Sequence, residues 1–271
     1  MLEVISLGSG SCGNALLVRT PGAALLIDCG VGIRRLSREL ATWGLQPSDV
    51  DAVLISHEHG DHVRELSRFA TARVPVLATA GTAGALPHLL SRPEIIRYFN
   101  PVHVADTEIV AIPVSHDAFE PCGFLVRTAH GTVSLFTDLG SPSGAIAEAI
   151  SESDLVVLEA NHDEAMVRRG PYTPQLKRRI LAPTGHLSNQ DCGELLVSAL
   201  KGTARCPEIR LAHLSATNNQ PELAQRTVTR RLARERLFVG VAVLPRQEQS
   251  TIWRSDAASR GVSQLSMDLF A

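Results

Sequence analysis

A cluster of metal-binding side chain types occupies residues 57–62 of this 271-residue chain, in the order His-Glu-His-Gly-Asp-His. The cluster directly follows residues 52–56, an apolar run that reads as a buried strand, and Gly60 allows a sharp turn. Alternate residues of an extended segment lie on the same side, so His57 and His59 can share one cation. Imidazole and carboxylate together suit zinc, manganese or iron without a thiolate. The spacing therefore predicts a metal site; the alternative is a polar loop that happens to be rich in histidine.

The last two residues of the motif, Asp61 and His62, follow the turn and indicate a second metal position beside the first. Two cations need more ligands than one motif supplies. Three candidates follow predicted strands, where such ligands can be held rigidly. They are His116 after the strand 108–114, Asp138 after the strand 132–136, and His213 after the strand 210–212.

The remaining apolar runs predict two similar groups of strands separated by helices. Predicted strands cover 2–7, 15–19, 23–27, 76–78, 123–127, 155–158 and 237–244, with helices over 33–43, 62–69, 80–90, 188–200 and 221–234. Ser188 and Asp191 have the spacing of a helix N-terminal capping box. This pattern favours an α/β fold with two sheets packed face to face and helices outside. We expect one domain over 1–245 and a flexible tail over 246–271.

Composition excludes several classes of protein. No apolar run is long enough to span a bilayer, and the first residues lack a basic segment followed by an apolar one, so we expect no membrane association and no export. The five cysteines form no C-x-x-C pair, which is typical of reduced thiols in the cytoplasm. The formal net charge of −2 does not indicate nucleic-acid binding, although a local basic groove would suffice for it.

The order of these candidate ligands resembles the metallo-β-lactamase superfamily, over about residues 1–244. The resemblance implies a four-layer αββα sandwich, consistent with two packed sheets. It also implies that one cation is bound by His57, His59, His116 and Asp138, and the other by Asp61, His62, Asp138 and His213, with Asp138 bridging. Asp28, in the stretch 26–30, matches an aspartate of the superfamily that supports the metal loop without binding metal.

Stretches outside the ligands resemble the WalJ/YycJ-like branch of this superfamily, which is associated with exonuclease activity on 5′ ends of duplex DNA. They are residues 7–14, 115–117 with 121–124, 159–163, 176–180 with 185–189, and 213–215 with 218–219. Cys12 stands where the branch usually has serine, so that side chain is assigned no role. The resemblance implies a metal-dependent phosphodiesterase, a 5′ to 3′ DNA exonuclease of DNA repair or replication.

We predict hydrolysis by in-line attack of a hydroxide that bridges two divalent cations, zinc or manganese, with iron as a further option. Asp61 orients the hydroxide besides binding metal. His186, within a stretch that also resembles the histidine motif of the tRNA 3′-end nucleases of the superfamily, donates a proton to the leaving oxygen or steadies the phosphate. The alternative for His186 is merely the position before a helix cap. His162 is predicted to support a metal ligand from behind.

Two segments are candidates for contacts with DNA. In the glycine-rich loop 8–14, Ser9, Ser11 and Asn14 together with backbone N–H groups could bind a phosphate. The alternative is a plain tight turn. Lys177, Arg178 and Arg179 form a basic cluster near His186, and the alternative for these residues is a solvated helix face.

The end of the chain resembles the bacterial sliding-clamp-binding motif, a glutamine followed by spaced apolar residues. Gln264 would make a polar contact, while Met267, Leu269 and Phe270 would enter an apolar groove of the DNA polymerase sliding clamp. The alternative is a tail that packs on its own domain.

Two other functions compete with a DNA exonuclease. The same fold could hydrolyse a small phosphodiester or a thioester, but such an enzyme needs neither the basic cluster nor the tail. A binding module with a vestigial site is a different class, and the complete set of ligand residues argues against it.

Overall fold

The computed structural model describes residues 1–89 and 92–255. Its strands are β1 (Glu3–Gly8), β2 (Ala15–Arg19), β3 (Ala24–Ile27), β4 (Ala52–Leu54), β5 (Val76–Ala78), β6 (Glu94–Ile95), β7 (Val102–Val104), β8 (Thr107–Pro113), β9 (Cys122–Thr128), β10 (Gly131–Phe136), β11 (Leu155–Glu159), β12 (Glu208–Ala212), β13 (Val241–Val243) and β14 (Trp253–Arg254). Its helices are α1 (Ile33–Ala41), α2 (Gly60–Val63), α3 (Leu66–Thr71), α4 (Ala80–Ala85), α5 (Gly144–Ser151), α6 (Glu164–Arg169), α7 (Pro174–Ile180), α8 (Asn189–Leu200) and α9 (Pro221–Arg234), with a 3-10 turn at Pro47–Asp49.

The strands form two seven-stranded sheets, one from each half of the chain except that β14 joins the first. The first has the order β14-β1-β2-β3-β4-β5-β6 and the second the order β13-β12-β11-β10-β9-β8-β7. Strands β3 to β6 run parallel in the first sheet, and β10 to β13 run parallel in the second. Parallel neighbours need crossover connections, and the helices between these strands supply most of them.

Both faces of each sheet are buried, which gives four layers. Within β1, Val4 packs into the core between the two sheets, whereas Ile5 packs against the helices outside the first sheet. This alternation follows from the two-residue period of a strand. A third apolar core joins the second sheet to α5, α8 and α9. The predicted αββα sandwich is therefore confirmed.

Most predicted elements are present, and their bounds differ by a few residues. The structure has β2, β5 and α9 over the predicted residues. The predicted helix 62–69 is instead two short helices, α2 and α3, and the predicted strand 237–244 shortens to β13. Helix α8 begins where predicted, because the Ser188 side chain accepts a hydrogen bond from the Asp191 N–H at 3.0 Å.

The predicted flexible tail needs a correction for its first ten residues. Strand β14 pairs antiparallel with β1, Trp253 is buried, and the Ser250 N–H donates to the Ser6 carbonyl oxygen at 2.9 Å. The polar sequence of this segment concealed an edge strand, because two residues are too few for a visible alternation. Residues 256–271, with the motif at Gln264, Met267, Leu269 and Phe270, lie outside the described residues.

All five cysteines are free, as the absence of C-x-x-C pairs predicted. Within residues 1–89 and 92–255, no helix combines the length and apolar character that crossing a membrane requires.

Candidate metal centre

The carboxyl ends of the parallel strands in both sheets meet at one edge of the sandwich, and the predicted ligand residues lie there. Strand β4 leads into the 57–62 motif, while β10 and β12 lead into Asp138 and His213. Strand β8 runs in the same direction as β10, because both are antiparallel to β9, and it leads to His116. The fold thereby brings all seven predicted ligand residues into one cluster.

The first group of ligand types consists of three histidines. The His57 ring lies 4.6 Å from the His59 ring and 5.0 Å from the His116 ring, centroid to centroid. The His116 Nδ1 lies 3.1 Å from the Gly185 carbonyl oxygen, so Nδ1 donates and Nε2 is left for a cation. One nitrogen from each histidine lies within 4.8 Å of the others, close enough to hold one ion.

The second group consists of Asp61, His62 and His213. The Asp61 Oδ2 lies 3.7 Å from the His62 Nε2 and 3.7 Å from the His213 Nε2. His62 donates from Nδ1 to the Asp28 Oδ2 at 2.7 Å, which turns its Nε2 toward the centre. Asp28 therefore makes the supporting contact expected of it.

Asp138 lies between the two groups. Its Oδ2 is 3.1 Å from the His62 Nε2, and its Oδ1 is 3.7 Å from the His116 Nε2 and 3.4 Å from the His213 Nδ1. The residue is only 3% exposed. Its two oxygens thus face the two groups, the arrangement that a bridging ligand requires.

Three residues of the centre adopt the left-handed backbone conformation that side-chain-bearing residues rarely take. The φ angles are 58° at Asp28, 54° at Asp138 and 55° at His213. Each residue lies one or two positions after a buried strand. Strained conformations of this kind persist only where surrounding structure fixes them, and they concentrate at functional sites.

Glu159, at the end of β11, is a candidate functional residue to which the sequence patterns assigned no role. Its Oε1 accepts hydrogen bonds from the His186 Nδ1 at 3.0 Å and the His213 Nδ1 at 2.7 Å. Its Oε2 accepts from the Leu139 and Leu187 N–H groups. The side chain is fully buried, so this carboxylate orients both histidines from behind.

Charges within the cluster shift its pKa values in opposite directions. Burial lowers the pKa of His62, but the Asp28 and Asp138 carboxylates more than offset it and raise that pKa to about 10. Burial raises the pKa of Asp138, yet the charges of His213 and His62 hold it well below its usual range. Burial likewise opposes ionisation of Glu159, but His186 and His213 lower its pKa to about 2. The Asp138 and Glu159 carboxylates are therefore ionised at neutral pH.

The donor set fits divalent cations. The buried His57 Nε2 and His213 Nε2 have no hydrogen-bond partner within the described part of the chain, although buried polar atoms are normally satisfied. Neutral imidazoles and carboxylates are the ligands that zinc, manganese and iron accept. In each group one ligand atom per residue lies within 4.8 Å of the others, so the members of a group can share one ion.

The loop at residues 8–14 supports the centre from within instead of presenting a phosphate cradle. Ser9 and Asn14 are buried: the Ser9 Oγ accepts from the His213 N–H at 2.8 Å, and the Asn14 Nδ2 lies 3.0 Å from the His62 Nε2. The Gly10 N–H donates to the Asn14 Oδ1. The predicted substrate contacts of Ser9 and Asn14 are corrected accordingly, because their polar atoms are already used inside the protein.

An open cavity of ≈ 180 Å³ leads from solvent to the cluster. Its lining includes Ser11, three of the ligand histidines, both candidate catalytic residues and one residue of the basic cluster. They are Ser11, His59, Asp61, His116, Asp117, Asp138, Leu176, Arg179, Ile180, Gly185, His186 and His213. Of the three loop residues predicted to touch substrate, Ser11 is thus the one that stays a candidate.

The basic cluster lies on α7, a helix that the sequence pattern did not predict. Arg179 lines the cavity and donates to the Asp117 Oδ2 at 2.7 Å. Lys177 donates to the Arg168 carbonyl oxygen at 2.8 Å, and Arg178 is exposed. Helix α7 therefore places positive charge at the rim of the cavity.

His162 does not make the supporting contact predicted for it. Its Nδ1 is buried and has no hydrogen-bond partner in the described residues, while its carbonyl oxygen accepts from the Asn189 N–H at 2.9 Å. Glu159 makes the supporting contacts that were expected of His162.

Sequence comparison connects the chain with known proteins over most of its length. The family model of the β-lactamase superfamily domain matches residues 24–204. The exodeoxyribonuclease WalJ of Streptococcus pneumoniae is 35% identical over 243 residues, with 87% of this chain and 90% of the relative covered. The exodeoxyribonuclease YycJ of Bacillus anthracis is 34% identical, with 87% and 91% covered.

Structural comparison agrees on the fold. The metallo-β-lactamase fold protein YhfI from Bacillus subtilis matches with a TM-score of 0.71 at 18% identity, covering 94% of this chain and 100% of that protein. At this identity the likeness concerns the arrangement of layers and strands, which is the one described above.

Proposed function

Because this chain belongs to the metallo-β-lactamase superfamily of metal-dependent hydrolases, and within it to the family of the exodeoxyribonucleases WalJ and YycJ, we propose that it is a metal-dependent exodeoxyribonuclease. We further propose that it degrades DNA from 5′ ends in the cytoplasm, during DNA repair or replication. One observation carries the proposal: seven ligand-type side chains gather in one cluster, and five of them line an open cavity together with His186 and Arg179.

The centre would hold two divalent cations, zinc or manganese with iron as a further option, one at His57, His59 and His116, the other at Asp61, His62 and His213, with Asp138 shared. Cations so held lower the pKa of water toward neutrality and neutralise phosphodiester oxygens. The mixture of imidazole and carboxylate ligands supports divalent ions of the first transition series.

Two residues of the chain take direct parts in the proposed reaction. Asp61 is only partly buried and lines the cavity, so its carboxylate can accept a hydrogen bond from the attacking water and orient it. His186 also lines the cavity, and the Glu159 charge raises its pKa although burial lowers it. A protonated His186 can donate from Nε2 to the leaving oxygen while Nδ1 stays bonded to Glu159.

The proposal is tested by incubating the protein, loaded with manganese or zinc, with 5′-phosphorylated duplex DNA, single-stranded DNA, RNA and bis(p-nitrophenyl) phosphate. We expect release of nucleotides from DNA ends that stops when a chelator removes the metal. Hydrolysis of the small diester with no attack on DNA would overturn the proposal and favour the small-molecule alternative. A label placed at the 5′ end or at the 3′ end of one strand distinguishes the two polarities of digestion.

Helix α7 supports binding of the DNA backbone, through Lys177, Arg178 and Arg179. The double substitution Lys177→Glu/Arg178→Glu should weaken DNA binding and flatten its salt dependence. The slope of the logarithm of the binding constant against the logarithm of salt concentration should fall in magnitude by about 0.9 for each phosphate that is no longer neutralised. Fluorescence anisotropy of labelled duplex at several salt concentrations measures both quantities. Arg179 is left unchanged, because it is bonded to Asp117 beside the centre and its substitution would also remove that bond.

A matched control is Arg226→Glu/Arg230→Glu, which makes the same change of charge on exposed positions of α9. The control should leave the slope unchanged, because only side chains that neutralise phosphates release counterions. Equal effects of the two double substitutions would show that the basic residues of α7 form a solvated helix face that does not contact DNA specifically.

We also propose that Gln264, Met267, Leu269 and Phe270 bind the DNA polymerase sliding clamp, which supports action at replication or repair sites. A peptide of residues 260–271 should bind the clamp, and a peptide with Leu269→Ala and Phe270→Ala should not. Absence of binding by the unaltered peptide at high micromolar concentration would reject the contact.

A further inference from the structure

A phenylalanine at the rim of the centre has no role in the proposed reaction. Phe119 lies in the loop between β8 and β9, and 78% of its surface is exposed. It follows His116 by three residues and Asp117, which lines the cavity, by two. Since two residues span at most about 7 Å of backbone, the base of this side chain is within one side-chain length of the cavity rim.

The loop that carries Phe119 is held at several points, so the exposure does not come from a loose segment. The Phe119 N–H donates to the Glu58 Oε1 at 3.1 Å, and Glu58 lies between the ligands His57 and His59. The neighbouring Glu120 accepts from the Gly81 N–H at 2.6 Å, and its carbonyl oxygen accepts from the Thr79 hydroxyl at 2.7 Å. The ring is presented to solvent from a rigid support tied to the metal loop.

The charges near the ring indicate which part of DNA it would meet. Asp117, Glu58 and Glu120 surround the loop, and a phosphate there would be repelled. The positive charge instead lies on α7, which is joined to this loop by the Asp117–Arg179 ion pair at 2.7 Å. For a strand with its backbone along α7, the uncharged bases, and not the phosphates, are thus the part that the loop can accept. An aromatic face stacks on any base, so the contact would not depend on sequence.

Resting on the proposed exodeoxyribonuclease function, we propose that Phe119 stacks on a nucleobase near the DNA end and positions the adjoining phosphodiester over the metal centre. It is a positioning residue, since it touches the substrate base and not the reacting atoms. Its contribution is specific to nucleic acid and absent for small phosphodiesters. Bases, rather than a protein surface, are the occupant that the cavity and the adjacent basic helix favour.

The test compares wild type, Phe119→Ala and Phe119→Trp on duplex DNA and on bis(p-nitrophenyl) phosphate. Phe119→Ala should raise KM for DNA by about 5- to 160-fold, the range for loss of one base–aromatic stack. Phe119→Trp should restore KM to within about three-fold of wild type, because the aromatic face is kept. Hydrolysis of the small diester should be the same for all three. Phe238→Ala is the matched control. Phe238 is 71% exposed and precedes β13, so it lies at the amino ends of the parallel strands, opposite the ends that carry the centre.

Duplexes with an abasic site at each terminal position in turn provide a second readout. At the position that stacks on Phe119, the abasic site should raise KM for wild type and leave KM for Phe119→Ala unchanged. Unchanged KM for DNA in Phe119→Ala would overturn the inference while leaving the proposed function intact. Equal losses on DNA and on the small diester would also overturn it, because they indicate a role in the metal loop. A wild-type protein that neither binds nor degrades DNA would overturn the proposed function and this inference together.

Discussion

Replacement of Asp138 by asparagine should abolish hydrolysis and reduce the metal content below two ions per chain. Asp138 has oxygens that face both groups of ligands, at 3.1 Å from the His62 Nε2 and 3.7 Å from the His116 Nε2. An amide keeps the shape but removes the negative charge shared between two cations. Loss of the several kcal/mol that a bound cation supplies corresponds to a fall in kcat of at least roughly 10³-fold. Metal analysis by mass spectrometry and rate measurements on DNA check both outcomes.

Asp154→Asn is the control for that substitution. Asp154 precedes β11, so it lies at the amino end of that strand, away from the centre, where it pairs with Arg205 at 2.8 Å. It should retain metal and activity. Full metal content together with activity near wild type in Asp138→Asn would show that this carboxylate does not bridge cations.

His186→Ala should separate catalysis from metal binding. The His186 side chain is bonded to Glu159 at 3.0 Å and lines the cavity, but it is not among the seven expected ligands. Its removal should lower kcat by roughly 10²- to 10⁴-fold, the usual contribution of general acid–base help, with the metal content unchanged. Steady-state rates, with metal content measured on the same preparation, provide the comparison.

The matched control is His130→Ala, an exposed histidine in the turn before β10, far from the carboxyl end of that strand. Its activity should equal that of wild type. If His186→Ala also keeps wild-type activity with intact metal, the proposed proton donation is wrong. If it loses metal in proportion to activity, His186 belongs with the ligands.

The candidate metal centre could be predicted from the sequence because its ligand-type residues directly follow buried strands. The run before His57 is apolar, and the short strands before Asp138 and His213 also carry apolar residues, so the strands were evident and ligand-type residues after them had few other interpretations. The role of Glu159 could not be predicted in this way. Its partners His186 and His213 lie 27 and 54 residues further along the chain, and only the packing of the second sheet and its helices brings them to its carboxylate.

Other differences between prediction and structure have similar causes. Helix α7 begins at Pro174 after a segment of turn-forming residues and has little apolar surface, so its pattern is weak. The glycine-rich loop looked like an anion site because the internal partners of Ser9 and Asn14 are invisible until His213 and His62 are positioned. Strand β14 depends on an edge pairing with β1 across almost the whole chain.

The cations would be bound by side chains from both sheets, with His57, His59, Asp61 and His62 from the first and His116, Asp138 and His213 from the second. An occupied centre would therefore act as a cross-link between the two halves of the sandwich, fastening one end of the interface between them. Neither half contains all the ligand residues. Hydrolysis would therefore occur only in molecules whose two halves have packed against each other in the native arrangement.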